Sequence, residues 1–253
     1  MCTVTLVPLP GESGVPAGIR FMCNRDESRD RPAALAPVTK TFNRTRAVFP
    51  VDAVSEGTWV AVNDAGLIMT LLNRNPTDMR GVVFPGKISR GGIIPSLLHA
   101  DSLAQALELI DQIDGSLYPP FRLVVADTQT IVDVVSGADG LAVNRDSISY
   151  PVMLTSSGLG DEIVEGPRRR LFNHTFEYDR HAGPAQQDEY HRHQWGDHPE
   201  LSVAMEREDA ITVSVTTIDL SAQSAVLTYR PAPPWVDAED FVIRLPLPRA
   251  AKL

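Results

Sequence analysis

Three times along this chain, two β-prone apolar runs flank a short polar turn, and that repetition narrows the fold more than any other feature. Residues 58–63 and 67–73 flank Asp64-Ala65-Gly66, residues 122–126 and 131–135 flank Asp127-Thr128-Gln129-Thr130, and residues 211–218 and 225–229 flank a turn at 219–224. Runs of this length, joined this tightly, pair as neighbouring antiparallel strands. Residues 3–7 and 19–23 are expected to make a further hairpin around the loop 8–18. No fixed-period repeat accompanies these units, which excludes a solenoid or propeller. Helical signals come in blocks. Asp101-Ser102 caps a helix whose apolar face is Leu103, Leu107, Ile110 and Ile113. Residues 89–99 predict a shorter helix bent or restarted at Pro95, and residues 168–178 predict a third with Pro167 near its first turn. Residues 181–200 read as a polar, His-rich surface loop. The Pro-rich stretch 231–253 reads as a wrapping tail in which 241–245 add an edge strand. Strand runs with segregated helices predict α+β layers in place of a parallel βαβ sheet, and residues 1–253 are read as one domain.

The charge balance restricts partners. Lys and Arg number 23 against 32 Asp and Glu, a formal net charge of −9, which disfavours a nucleic-acid partner because phosphate binding relies on clustered cations. The triplet Arg168-Arg169-Arg170 is too short to overturn this. No apolar run nears the roughly 20 residues that span a bilayer, and the start lacks the basic and apolar regions of a secretory signal. With only Cys2 and Cys23 present, a reducing, cytoplasmic location is expected. Five of the six histidines (His174, His181, His191, His193 and His198) fall in one segment near Asp188 and Asp197, but their spacing fits no zinc motif, and no metal is predicted. Ser156-Ser157-Gly158 lacks the nucleophile-elbow pattern, and no glycine loop suits a nucleotide, so no cofactor is predicted.

Cys2 carries the chemistry. Loss of Met1 would put a thiol and a free α-amine on one residue, and an amine with a pKa of about 7.7–8.0 accepts a proton near neutral pH. A nucleophile activated by an N-terminal amine is a known covalent-catalysis arrangement. The competing readings are a small buried hydrophobe opening a strand and a redox pair with Cys23 across the first hairpin.

Met1-Cys2 opening a strand, Asn24-Arg25-Asp26-Glu27 closing the second, Gly57-Thr58-Trp59 opening the third, Asn73 closing the fourth and the small-polar turn Thr155-Ser156-Ser157-Gly158-Leu159 together resemble the NRDE family, also called the transport and Golgi organisation protein 2 family. The resemblance runs from Cys2 to about Tyr229. It implies an N-terminal nucleophile hydrolase fold, a four-layer αββα sandwich with two antiparallel sheets. In that superfamily the bile-salt hydrolase and penicillin V acylase group uses an N-terminal Cys on linear amides. Carried over by position, Cys2 is the nucleophile, Asp26 holds its amine, Arg25 anchors a carboxylate or braces Asp26, and Asn73 donates to the oxyanion. Asn24, Glu27, Trp59 and Ser156 would line the substrate site. That group separates its Arg from its Asp by two residues, whereas here they are adjacent. Neighbours in a strand face opposite ways, so Arg25 and Asp26 share a site only if the chain turns. The resemblance thus implies a small-molecule acyl or amide substrate. It also implies an alternative, a non-catalytic carrier of haem or lipid that binds a haem-like ligand through Cys2, Cys23 or the His-rich segment.

Overall fold

In the computed structural model, which describes residues 2–11, 16–76, 87–137, 140–177 and 183–248, the strands gather into two antiparallel sheets. The first contains β1 (Cys2–Leu9), β2 (Gly18–Ser28), β10 (Val152–Thr155), β11 (Ala210–Ser221), β12 (Ser224–Arg230) and β13 (Phe241–Pro246), in the order β10-β1-β2-β11-β12-β13. The second follows chain order through β3 (Leu35–Phe42), β4 (Thr45–Val51), β5 (Val60–Asn63), β6 (Ile68–Asn73), β7 (Phe121–Ala126), β8 (Thr130–Gly137) and β9 (Gly140–Ser147).

Period-two alternation makes the layers. Val4, Leu6, Phe21, Ile218 and Leu227 of the first sheet meet Val48, Val60, Ile68, Leu72 and Val124 of the second in the central core. The residues between them in sequence point the other way. On the second sheet, Ala61, Met69, Leu71, Leu123 and Val125 take up Ile93, Ile94 and Leu97 of α1 (Ile93–Leu97) and Ala106 and Ile110 of α2 (Leu103–Asp111). On the first, Val7 and Met153 take up Phe172 and Phe176 of α3 (Asp161–Glu177) and Tyr190 of α4 (Pro184–Arg192). The architecture is therefore the αββα sandwich expected, with each helical layer covering one outer sheet face. Among the described residues, no helix is long and apolar enough to cross a membrane.

The hairpins fall where the turns place them: β5 pairs with β6, β7 with β8 and β11 with β12. Ser102 caps α2 by accepting from the Gln105 amide at 3.3 Å. A short 3-10 turn at Arg90–Gly92 precedes α1, so the helix does restart near Pro95. Residues 241–245 do extend the first sheet, as β13 at its edge.

Three expectations need correction. β3 and β4 precede the hairpin read as the third and fourth strands, so Gly57-Thr58-Trp59 leads into β5 and Asn73 closes β6. The third helix begins at Asp161, with Pro167 inside it, where the backbone bond to the Ile163 carbonyl is given up. The segment read as a loop contains α4, and a 3-10 turn at Pro199–Leu201. The buried residues of α4 are Gln187, Tyr190 and His191, so its inward face is satisfied by hydrogen bonds and leaves little apolar periodicity to read. His181 lies outside the described residues.

Candidate active site

The register of the first sheet sets Cys2 opposite Arg25 on β2 and Val4 opposite Cys23. On its other side, the pairing of Thr3 with Thr155 on β10 brings Ser156 alongside Cys2. Ser156 Oγ accepts from the Cys2 backbone nitrogen at 3.2 Å, and the Ser156 amide donates to the Cys2 carbonyl at 2.9 Å. One serine therefore holds both ends of the residue, including the nitrogen that would become the α-amine if Met1 were removed. With residue 1 attached, Cys2 is 3 % exposed and faces the central core. The neighbouring Cys23 thiol, assisted by the positive charge of the amino terminus and, less, by Arg25, favours the Cys2 thiolate and outweighs burial and the opposing Asp26 charge, so the Cys2 pKa lies below its ordinary value. The same neighbour contact, together with burial, pushes Cys23 well up. The two cysteines are free, and they are diagonal neighbours, not directly opposite.

The chain does not turn at Arg25-Asp26. β2 continues to Ser28, so the two side chains point to opposite faces, and a β-bulge on β11 accommodates both. Thr212 pairs with Asp26 and Ser214 with Arg25, Val213 being the extra residue. Bulges next to active sites commonly re-aim side chains in this way. Arg25 does not brace Asp26. Its guanidinium lies inward, 4.1 Å from the Trp59 ring centroid, and donates to Asp52 Oδ2 at 2.6 Å and Glu27 Oε2 at 3.3 Å. Arg31 grips the same Asp52 at 2.8 and 3.0 Å. Burial tends to raise Asp52, but the bonds from Arg31 and Ser55 hold its carboxyl well below the usual range. The cluster of Arg25, Arg31, Glu27 and Asp52 thus balances its own charge, and Glu27 belongs to it.

Asp26 faces the helical layer. Its Oδ1 accepts from Thr212 Oγ1 at 2.6 Å, whereas its Oδ2 is buried with no hydrogen-bond partner. Burial raises its pKa, and the nearby Arg168 charge pulls it back. Arg168 is 0 % exposed and donates to Thr3 Oγ1 at 2.9 Å, Thr155 Oγ1 at 2.7 Å, the Leu201 carbonyl at 3.0 Å and the Ser202 carbonyl at 2.7 Å. It therefore fastens the residues next to Cys2 and Ser156 from beneath. The triplet dismissed as a weak basic patch contains this residue. A signal was present, because Arg168, Phe172 and Phe176 recur every four residues on one helix face.

Asn24 also faces the helices, away from Cys2. Its Nδ2 donates to the carbonyls of His191 and Val203, both at 2.9 Å, and its Oδ1 lies 2.9 Å from His191 Nδ1. Thr5 Oγ1 is 2.7 Å from His191 Nε2 and accepts from Gln187 Nε2 at 2.8 Å. This chain is complete for a neutral imidazole with Nδ1 protonated and Nε2 accepting. Burial, with Arg20 nearby, pushes His191 down to about 3 from 6.5. Its folded pKa is therefore below its unfolded one. The unfolded state binds the extra proton, and stability is lost as pH falls from 6.5 toward 3. Compared with His191→Gln, the wild-type protein is expected to lose about 1.4 kcal/mol more per pH unit across that window. Denaturant midpoints measured at several pH values check this, and parallel curves would contradict it. Asn24 is thus an anchor for α4 and does not line the space beside Cys2.

Asn73 pairs with Phe121, a residue of the outer core on α1 and α2, so the pleat aims its position away from Cys2. Asn75, overlooked in the sequence, is better connected. Its amide donates to Asp161 Oδ2 at 2.8 Å, its carbonyl accepts from the Asp161 amide at 2.9 Å, and Asp161 Oδ1 accepts from the Ser157 amide at 2.8 Å. The first residue of α3 therefore ties Asn75 to the turn that holds Cys2. Asn75 Nδ2 is buried close to the Asp161 carboxylate without meeting hydrogen-bond geometry. The Asn75-Pro76 step was the available signal, an asparagine at the turn leaving β6.

Trp59 is 7 % exposed, lies beneath Arg25, and has its ring centroid 6.3 Å from that of Tyr229. Its Nε1 is buried without a partner, as is Thr216 Oγ1 on the inward face of β11, while Ser214 Oγ on that face lies near the Tyr229 hydroxyl without meeting hydrogen-bond geometry. Gly57, just before it in sequence, is required by close approach, since a Cβ there would sit 2.1 Å from the Gly91 carbonyl oxygen. Among the described residues no group of three or more His, Cys, Asp or Glu is placed to hold a metal ion.

The model of the family described as Transport and Golgi organisation 2 matches residues 19–163, more than half of the chain. No curated protein matches the chain in sequence. Among solved structures, the fold is shared with a variant of the conjugated bile acid hydrolase from Clostridium perfringens, at 13% identity and a TM-score of 0.56, covering 94% of this chain and 92% of that one. It is shared as well with the Caenorhabditis elegans N-acylethanolamine-hydrolyzing acid amidase ortholog, at 13% identity and a TM-score of 0.56, covering 96% and 100%. A second variant of the bile acid hydrolase gives 14% identity and a TM-score of 0.53, covering 95% and 92%. At these identities the likeness is one of fold.

Proposed function

Because this chain belongs to the Transport and Golgi organisation 2 family and builds its site around residue 2, we propose that it is an N-terminal nucleophile hydrolase that cleaves a linear amide or related acyl bond after losing Met1. The observation that carries this reading is the pair of Ser156 contacts on the Cys2 backbone, which fix the future amine while the sulfur points inward beside Cys23 and Arg25. The neighbours in fold are by name hydrolases of conjugated bile acids and of N-acylethanolamines, and the same reaction class is adopted here.

The Cys2 thiolate adds to the substrate carbonyl, because the thiolate is the reactive form. The freed amine, held by Ser156 Oγ, takes up the thiol proton and gives it to the departing nitrogen, leaving a thioester on Cys2. Water then breaks the thioester, releasing the acid and restoring the thiol. Asp26 Oδ2 supplies the missing acceptor for the amine, which accounts for a buried carboxylate oxygen that otherwise has no partner. Asn75 Nδ2 is the better-placed donor for the oxyanion. Trp59 Nε1, Ser214 Oγ and Thr216 Oγ1 offer hydrogen bonds to oxygens elsewhere on the substrate.

The test is amine release from a panel of N-acyl amides by wild type and by Cys2→Ala. Release by wild type that falls at least about a thousandfold in the variant supports the hydrolase. Release that persists in the variant, or stoichiometric haem binding with no turnover, would favour the carrier.

A further inference from the structure

Resting on the reading of Cys2 as nucleophile, we infer that the substrate carries a second oxygen, of a carbonyl or carboxylate, held between Trp59, Ser214 and Thr216, and is not a plain hydrocarbon amide. The strand register lays out this subsite. Across the inward face of the first sheet, Leu6, Phe21, Ile218 and Leu227 form one apolar row. Two residues nearer the Cys2 end, the row reads Val4, Cys23, Thr216 and Tyr229, and the row beyond it Cys2, Arg25 and Ser214. One face thus turns from apolar to polar toward Cys2. Trp59, entering β5 of the other sheet, covers the polar part, its ring centroid 4.1 Å from the Arg25 guanidinium carbon and 6.3 Å from the Tyr229 centroid.

What the polar rows offer is donors. Trp59 Nε1 can only donate, and it is buried without a partner, as is Thr216 Oγ1. Ser214 Oγ and the Tyr229 hydroxyl lie near each other without meeting hydrogen-bond geometry. Among the described residues, Arg25 donates through Nη2 alone, to Asp52 and Glu27. The amino terminus freed at Cys2 is one more donor, held at the other end of its row by Ser156 Oγ. The carboxylates nearby are taken: Glu27 and Asp52 by Arg25 and Arg31, and Asp26 faces the helical layer with Thr212. A buried polar group without a partner costs stability, so a set of bare donors beside a nucleophile marks an acceptor that arrives with the ligand. A site built this way rejects an analogue that lacks the matching oxygen. Neighbouring strands lie about 4.8 Å apart, which puts Ser214 roughly 10 Å along the sheet from Cys2, within reach of a short acyl chain.

The experiment titrates Cys2→Ala, which lacks the nucleophile, by calorimetry with three amides of one amine: N-glutaryl, its methyl ester, and N-heptanoyl. At least one oxygenated amide should bind about tenfold or more tighter than heptanoyl. Glutaryl ahead of its ester identifies a carboxylate, and the reverse order a neutral carbonyl. Adding Thr216→Val or Trp59→Phe should cut that preference by about fivefold or more. Because valine replaces an unpaired buried hydroxyl at nearly constant shape, Thr216→Val alone should leave the denaturant midpoint level or higher. Heptanoyl bound as tightly as both oxygenated amides, or no measurable binding of either of those, would overturn the inference. So would a preference that survives both substitutions, or a Thr216→Val midpoint that falls, because the hydroxyl would then serve the fold and not a ligand. Selective binding without Cys2-dependent amine release by wild type strikes the hydrolase reading alone. Release that does not discriminate among the three amides strikes this inference alone.

Discussion

Arg168→Met is expected to lower the unfolding free energy by about 3–5 kcal/mol, read as a fall in denaturant midpoint. Methionine retains much of the volume but removes the charge and every N–H. The Leu201 and Ser202 carbonyls then lose their donors, the Thr3 and Thr155 hydroxyls keep each other at 3.1 Å and Thr155 its long bond to the Cys2 carbonyl, and Asp26 loses a buried countercharge. Breaking one side of a buried charge system is severe because the other side stays behind, unpaired and out of water. A loss under about 1 kcal/mol would mean that water reaches this site and that the helix does not brace the residues around Cys2. Because Arg168 grips both neighbours of the Cys2–Ser156 contact, a folded but weakened variant should also lose activity.

The second large effect is kinetic. Asp26→Asn should reduce kcat/KM toward the amide found by screening by about 10²–10⁴, the range typical of a misplaced proton-transfer group. Asparagine keeps an oxygen for the Thr212 hydroxyl, so the fold is retained. What is lost is the charged oxygen proposed to receive the amine of Cys2. The pH dependence separates this role from packing. Burial raises Asp26 above the ordinary carboxylate value of 3.8, so the acid limb of the wild-type profile should lie above that value and should disappear in the variant. A variant within about threefold of wild type, with its acid limb intact, would remove Asp26 from the mechanism.

What could be read from the chain before the coordinates follows from where apolar contrast exists. The turns at Asp64-Ala65-Gly66 and Asp127–Thr130 bound strands that are buried along most of their length, so the apolar runs of β5 to β8 were visible. β3, β4, β9 and β10 were not; in β3 and β9 the residues are largely exposed and the side chains carry little alternation, whereas β4 and β10 are short buried runs with no turn motif of the same kind beside them. α4 escaped for the opposite reason, since its buried side chains are Gln187 and His191 as well as Tyr190, and hydrogen bonds to β1 and β2 do the work of apolar contact. In the site, the tetrapeptide 24–27 was visible, but how the pleat divides it was not. Arg25 and Glu27 face the space between the sheets, whereas Asn24 and Asp26 face the helices. The Arg25 partner, Asp52, comes from the end of β4, and no local spacing connects them. Alternation turns Asn73 outward, while the Asp161 carboxylate at the start of α3 draws Asn75, two residues past β6, back to the Ser156-Ser157 turn.

The most direct measurement is intact-mass spectrometry of the purified protein mixed with an N-acyl amide and quenched in acid. Catalysis by Cys2 predicts a chain lacking Met1 and carrying one acyl group as a thioester on Cys2. A chain that still carries Met1, with the Cys2 thiol unmodified while amine is released, would contradict it.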